Sequence, residues 1–149
     1  MLFSLIHLEK RMNALVVVDV QDDAPQGLPG AIKQHIETQR PELVIFTVFG
    51  EGAVHPLLAP YATESQVFQK RQFSAFRAPG FLRALKKQGI TKLWVCGLDT
   101  EACVYATAID GIAEGFDVHV LTSLCASRHG RVVHEKACDL ITQLWKKPH

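Results

Sequence analysis

Apolar residues fall along this chain in short unbroken blocks separated by amphipathic stretches. Residues 14–18 read Ala-Leu-Val-Val-Val, and residues 43–49 read Leu-Val-Ile-Phe-Thr-Val-Phe. A block of this length, β-branched and without alternation, fits a strand covered on both faces, as in a parallel sheet. Shorter blocks at 66–69, 92–96 and 118–121 predict three further strands. Between the blocks, residues 30–39 predict a short helix with Pro29 near its first turn. Residues 79–88 predict a helix with Phe81, Leu82 and Leu85 inward and Arg83, Lys86 and Lys87 outward, stopped by Gly89. Residues 101–114 predict a helix ended by Gly115. Residues 131–146 predict a last one, with Val133, Ala137, Leu140, Ile141 and Leu144 on one face.

Strands alternating with helices predict a doubly wound α/β domain. Its sheet is mainly parallel, with helices on both faces in a three-layer α/β/α, Rossmann-like arrangement. One domain is expected over residues 13–149, with no repeat or linker. Residues 1–12 are read as an N-terminal extension: MLFSLIHLEKR is soon interrupted by charge, and Met12 directly precedes the first strand block. The segment lacks a basic start and a small-residue cleavage site, which argues against a signal peptide. No block approaches the roughly 20 apolar residues of a membrane span.

Composition removes several function classes. Lys+Arg 16 against Asp+Glu 15 gives a formal net charge of +1, so no broad footprint for nucleic acid or an anionic membrane is expected. The four cysteines, at 96, 103, 125 and 138, form no C-x-x-C and no zinc-ligand spacing. Reduced thiols in a cytoplasmic protein are the expectation. Neither the dinucleotide glycine fingerprint nor a P-loop is present.

In open α/β sheets, ligands bind beyond the carboxyl ends of the strands. Three reactive side chains are expected at that rim. Asp19 follows the first strand, Lys70 closes the third, and Cys103 stands at the start of the helix after the fourth. A helix N-terminus and a nearby ammonium both favour a thiolate. A carboxylate can take the thiol proton and return it to a leaving amine. This is equipment for acyl transfer through a thioester. Each residue also has an ordinary reading: Cys103 as a small buried residue, Asp19 as a turn cap, Lys70 as a solvated strand end.

The segments Val-Val-Val-Asp19-Val-Gln21-Asp22, Lys70-Arg-Gln-Phe73-Ser74-Ala75-Phe76 and Gly97-Leu-Asp-Thr100-Glu-Ala-Cys103-Val104 resemble, in order, the three signatures of the isochorismatase-like cysteine hydrolase superfamily. The similarity covers residues 13–144. It implies a catalytic triad of Asp19, Lys70 and Cys103. It also implies a cis peptide at Leu98–Asp99 and an oxyanion hole from the backbone N–H groups of Asp99 and Cys103. Gln21, Phe73 and Phe76 are candidate substrate contacts, set against an ordinary loop amide and core packing. Nicotinamidases of the family carry a metal-binding D-x-H-x-x-H segment after the second strand. Here that region is Gly50-Glu-Gly-Ala-Val-His55-Pro with a lone histidine, so no metal and no cofactor is expected.

Asp99 and Glu101 are expected as solvent-facing capping carboxylates. Cys96, Cys125 and Cys138 are expected as buried small hydrophobes, and His134 as structural or exposed. The residues and the resemblance together predict a cofactor-independent hydrolase of a small amide-like C–N bond, acting on a small-molecule substrate. The alternative is a non-catalytic binding or interaction module on the same fold; a thiol redox role lacks a resolving cysteine pair. Apolar residues surround much of helix 101–114, so it is either a fully buried crossover helix in a monomer or covered by a partner; the expectation is a homo-oligomer, at least a dimer, with Tyr105 or Ile109 near the contact.

Overall fold

The computed structural model describes residues 12–144. Five strands form one sheet: β1 (Met12–Val18), β2 (Leu43–Phe49), β3 (Val67–Lys70), β4 (Ile90–Leu98) and β5 (Asp117–Ala126). Their spatial order is β3-β2-β1-β4-β5, and every neighbouring pair is parallel. Four helices connect or follow them: α1 (Leu28–Gln39), α2 (Phe81–Lys87), α3 (Tyr105–Ala113) and α4 (Arg131–Gln143). The chain winds from β1 outward to β3, then returns to the other side of β1 for β4 and β5. With right-handed crossovers, α1 covers one face and α2 and α3 the other, giving three layers α/β/α.

The unbroken apolar blocks are buried on both sides, as their composition requires. Ala14 to Val18 are all at most 1% exposed, and Ile45 and Phe46 match them. On α1, Leu28, Ile32 and Ile36 point inward at helical spacing. On α2, Phe81 and Leu85 do the same. Phe76 and Phe68 meet the Phe81 ring edge-on at 5.0 and 5.8 Å, and Phe76 also approaches Phe116. This aromatic group fills the layer under α2 and α3.

Several boundaries differ from the sequence expectation. β1 begins at Met12, inside the expected extension; residues 1–11 lie outside the described residues. β5 runs to Ala126 rather than stopping at 121, with an irregular register between Val95 and Gly97 on its partner β4. Its second half, Thr122-Ser123-Leu124-Cys125-Ala126, mixes polar and apolar residues and so carries little strand signal. The last helix ends at Gln143, and the expected end at 145–146 lies outside the described residues. Leu140, expected inward, is 56% exposed, because Ala137 and Ile141 define the buried line of α4. The expected helix 101–114 opens as a π-helical turn, Thr100–Val104, and becomes α-helical only at Tyr105.

Candidate active site

Parallel pairing lines up the strand ends. Val18 stands opposite Thr47 on β2 and Gly97 on β4, and Phe49 stands opposite Lys70 on β3. The residues just past these positions therefore meet at one rim, at the point where strand order reverses.

Asp19 is the first residue beyond β1 and is 2% exposed. It takes a left-handed backbone, φ 53°, a conformation that Asp and Asn tolerate better than other side chains. Its carboxylate is fully engaged on both oxygens. The Thr47 hydroxyl donates to Oδ1 at 2.8 Å, and Lys70 Nζ donates to Oδ2 at 2.7 Å. Lys70 also donates to the Gln72 carbonyl at 3.0 Å, and its ammonium lies 4.8 Å from the Phe49 ring centroid. The ion pair is shut from solvent, with the lysine side chain 0% exposed. A buried pair of this kind persists only when further hydrogen bonds complete it, and Thr47 and Gln72 do so.

Cys103 sits in the π-helical turn and is 8% exposed. Burial pushes its thiol up to about 12, and the Asp19 carboxylate adds to the rise; Lys70 pulls the other way without overcoming them. The expected lowering of the thiol by a helix start is thus corrected: desolvation dominates, and the proton rests on sulfur beside a carboxylate able to accept it. The Leu98–Asp99 peptide is cis, as the sequence resemblance implied. Gly97 makes this turn possible. Its φ is 121°, and a Cβ there would run into the Val18 backbone of the adjacent strand.

Asp19 and Cys103 open onto a cavity of about 510 Å³, with Lys70 beneath Asp19 rather than on the wall. Gln21 lines it, anchored by its Oε1, which accepts the Phe49 N–H at 2.9 Å. Phe49 and Phe73 stand at its mouth, Phe73 61% exposed. Phe76 is not part of this wall: it belongs to the aromatic layer with Phe81, which resolves its two sequence readings toward packing.

Arg128 also lines the cavity, and nothing in the sequence singled it out. Its guanidinium holds both oxygens of Asp23, at 2.7 and 3.0 Å, Asp99 Oδ1 at 3.0 Å and the Asp19 carbonyl at 3.3 Å. It thereby ties the loops after β1, β4 and β5 into one wall. Bonded to Arg128, the Asp23 carboxyl is held below its ordinary range.

Asp99 and Glu101 are not solvent-facing caps. Neither side chain caps the turn; Asp99 Oδ1 accepts from the Arg128 backbone N–H at 2.9 Å as well as from its side chain. Glu101 Oε2 accepts from Ser127 at 2.9 Å and pairs with His129 at 2.8 Å. Burial opposes its charge, yet His129, a backbone N–H and Ser127 together hold its carboxyl below the usual range. His134 meets the buried Thr100 hydroxyl at 2.7 Å, supporting the π-helical turn from α4.

The residues after β2 do not fit a metal site of the nicotinamidase kind. His55 Nδ1 is occupied by the Leu57 N–H at 3.1 Å, and Glu51 reaches outward to Arg71. Cys96 and Cys125 are buried, whereas Cys138 is half-buried and packs against His134.

The isochorismatase-domain family model matches residues 33–147. Among characterised sequences, the chain is 28% identical over 104 residues to the probable hydrolase YcaC of Escherichia coli strain K12, covering 67% of this chain and 50% of that protein. It is 47% identical over 34 residues to isochorismatase domain-containing protein 2 of Xenopus laevis, covering 23% of this chain and 17% of that one. The chain thus spans half or less of these relatives. An isochorismatase-like hydrolase from Alkaliphilus metalliredigens superposes with a TM-score of 0.77 at 22% identity, covering 88% of this chain and 90% of that one. Octameric YcaC gives 0.76 at 23%, covering 90% and 72%. The nicotinamidase SaPncA from Staphylococcus aureus gives 0.74 at 20%, covering 91% and 96%. Family match and shared architecture lead to one assignment: this chain belongs to the isochorismatase family.

Proposed function

We propose that this chain is a cysteine hydrolase that cleaves the C–N bond of a small amide through a thioester on Cys103. The observation that carries this reading is the buried Lys70–Asp19 pair, at 2.7 Å, set under a cavity that Cys103 also lines. The pair holds a carboxylate in fixed orientation beside the thiol, where it can receive the thiol proton.

Sγ attacks the amide carbonyl carbon while the thiol proton passes to Asp19. The carbonyl oxygen becomes an oxyanion, received by the backbone N–H groups of Asp99 and Cys103. Collapse breaks the C–N bond, and Asp19 returns the proton to the departing amine. Water then attacks the thioester, giving one proton to Asp19 and its oxygen to the acyl group. The carboxylic acid leaves as the proton returns to sulfur. Lys70, bonded to Asp19, balances its charge and fixes its orientation. No step requires a metal or cofactor.

Three further assignments accompany this reading. Gln21 and Phe73 contact the substrate, Gln21 as a fixed amide and Phe73 as an apolar cover. The chain self-associates through α3, supported by Ile109 and Ile112, each 39% exposed on a helix packed on its other side, and by the octameric state of YcaC. The cytoplasm is its compartment, supported by four free thiols.

Screening amides, ureides and carbamoyl compounds for ammonia release tests the reaction. Turnover by the wild type that is abolished in Cys103→Ala and persists after exhaustive chelation is expected. Turnover unaffected by Cys103→Ala contradicts the assignment, as does turnover lost on chelation and restored by zinc. Specific ligand binding with no ammonia release from any compound favours a non-catalytic module.

A further inference from the structure

We propose that the cavity over Cys103 selects small amides that carry no negative charge, and that Asp22 draws a cationic substituent on them. This deepens the proposed function and rests on Cys103 being the reacting thiol. Four carboxylates, Asp19, Asp22, Asp23 and Asp99, line the cavity against one cation, Arg128. An arginine on a cavity wall is the natural anchor for a substrate carboxylate. Here that anchor is already occupied. Nε and Nη2 grip both oxygens of Asp23, Nη1 holds Asp99, and Nη2 reaches the Asp19 carbonyl as well. An anionic substrate would meet a guanidinium whose charge is already shared by Asp23 and Asp99, and would bring its own negative charge beside both of them. Lys70 offers no substitute, because it is buried under Asp19 and bonded to it.

Counting Lys70 with Arg128, two of the four carboxylates remain uncompensated. Asp22 is exposed and paired with no cation among the described residues. Burial keeps the Cys103 thiol protonated, so it adds no charge of its own. A concave wall with an excess of one sign concentrates ligands of the opposite sign. The Phe49 and Phe73 rings beside these carboxylates suit a flat or apolar body between the reacting carbonyl and the cationic end.

The test uses two thiol reagents of similar size and opposite charge: trimethylammonioethyl and sulfonatoethyl methanethiosulfonate. In each, the Cys103 thiolate attacks the sulfenyl sulfur, forms a mixed disulfide and expels methanesulfinate. Peptide mapping of the intact chain gives the rate at Cys103, divided by the rate of the same reagent with 2-mercaptoethanol. The normalised rate for the cationic reagent should exceed that for the anionic one by about tenfold at low salt. Asp22→Asn, at an exposed position, should reduce that preference by about threefold. A preference absent or reversed in the wild type, or unchanged by Asp22→Asn, overturns the inference while leaving the hydrolase reading intact. Failure of both reagents to modify Cys103 overturns the hydrolase reading and this inference together.

Discussion

Asp19 combines two demands that few residues meet together: a left-handed backbone and a nearly buried carboxylate paired with a buried cation. Asp19→Asn keeps the backbone, because Asn tolerates the same φ, and its carbonyl oxygen still accepts from Thr47. It removes the proton acceptor and, with it, the anionic partner of the buried Lys70 ammonium. We expect turnover to fall by about 10²–10⁴-fold, measured as kcat on any substrate the screen identifies, with a loss of stability in urea unfolding because Lys70 is left buried without its anion. Lys70→Met orphans the other partner. It leaves the Asp19 carboxylate buried without its cation, which should cost about 3–5 kcal/mol in urea unfolding as well as activity. The cysteines make a pH prediction with a definite sign. The folded-state thiols of Cys103 and Cys125 are both pushed up to about 12, above their ordinary value near 9. Between those values the unfolded chain releases protons that the native chain retains. Stability is therefore full below about pH 9 and falls as pH rises toward 12. Urea midpoints at pH 8 and pH 10 measure this, and Cys103→Ala should reduce the slope. The same shift predicts that alkylation of Cys103 by iodoacetamide keeps accelerating beyond pH 9; a plateau below pH 8 would contradict it.

At the scale of elements, the turn that leads from β4 to Cys103 depends on close backbone approach. Gly97→Ala would drive a methyl group into the Val18 backbone at φ 121°, and we expect destabilisation on the order of 3 kcal/mol or failure to fold. Thr107 offers a finer probe. Its hydroxyl, fully buried on α3, accepts the Ala75 N–H at 2.9 Å and so fixes the turn that follows β3 and Lys70. Thr107→Val keeps shape but orphans that N–H, at a cost of about 1–3 kcal/mol by denaturation. These elements differ in how openly the sequence declares them. β1 and β2 are plain from their unbroken β-branched runs, since burial on both faces demands continuous apolarity. The second half of β5 is not, because Thr122 and Ser123 break the apolar run and read as a loop until β4 supplies the partner. The π-helical opening at Thr100–Val104 has no periodic signature at all, as five residues are too few to separate one helical period from another.

Across the whole molecule, the site exists only because parallel strands bring distant residues to one rim. The motifs around Asp19, Lys70 and Cys103 marked those three in advance, since each stands beside a recognisable run. Arg128 carried no such mark. A lone arginine in a polar loop becomes informative only when strand order sets it against Asp23, 105 residues earlier, and Asp99, 29 residues earlier. Thr47 escaped for a related reason, being a single hydroxyl inside an apolar strand. Phe76 was ambiguous in sequence because an aromatic residue near a site motif has the same composition whether it faces ligand or core. Assembly also belongs to this scale. Ile109→Glu on the outer side of α3 should convert an oligomer to a monomer of about 16.5 kDa in light scattering, with little change in the urea midpoint extrapolated to low concentration. A wild-type mass of 16.5 kDa independent of concentration would contradict self-association.

In the proposed reaction Cys103 carries the acyl group during turnover. The most direct measurement is intact-mass spectrometry of the acid-quenched chain during steady turnover of an amide found in the screen, followed by peptide mapping. The predicted result is an adduct equal to the acyl fragment on the peptide containing Cys103. It should be cleaved by hydroxylamine as a thioester is, and be absent from Cys103→Ala. Asp19→Asn should slow its formation and decay together. Turnover that proceeds at full rate in Cys103→Ala, or an acyl adduct found instead on Cys138, would contradict the account.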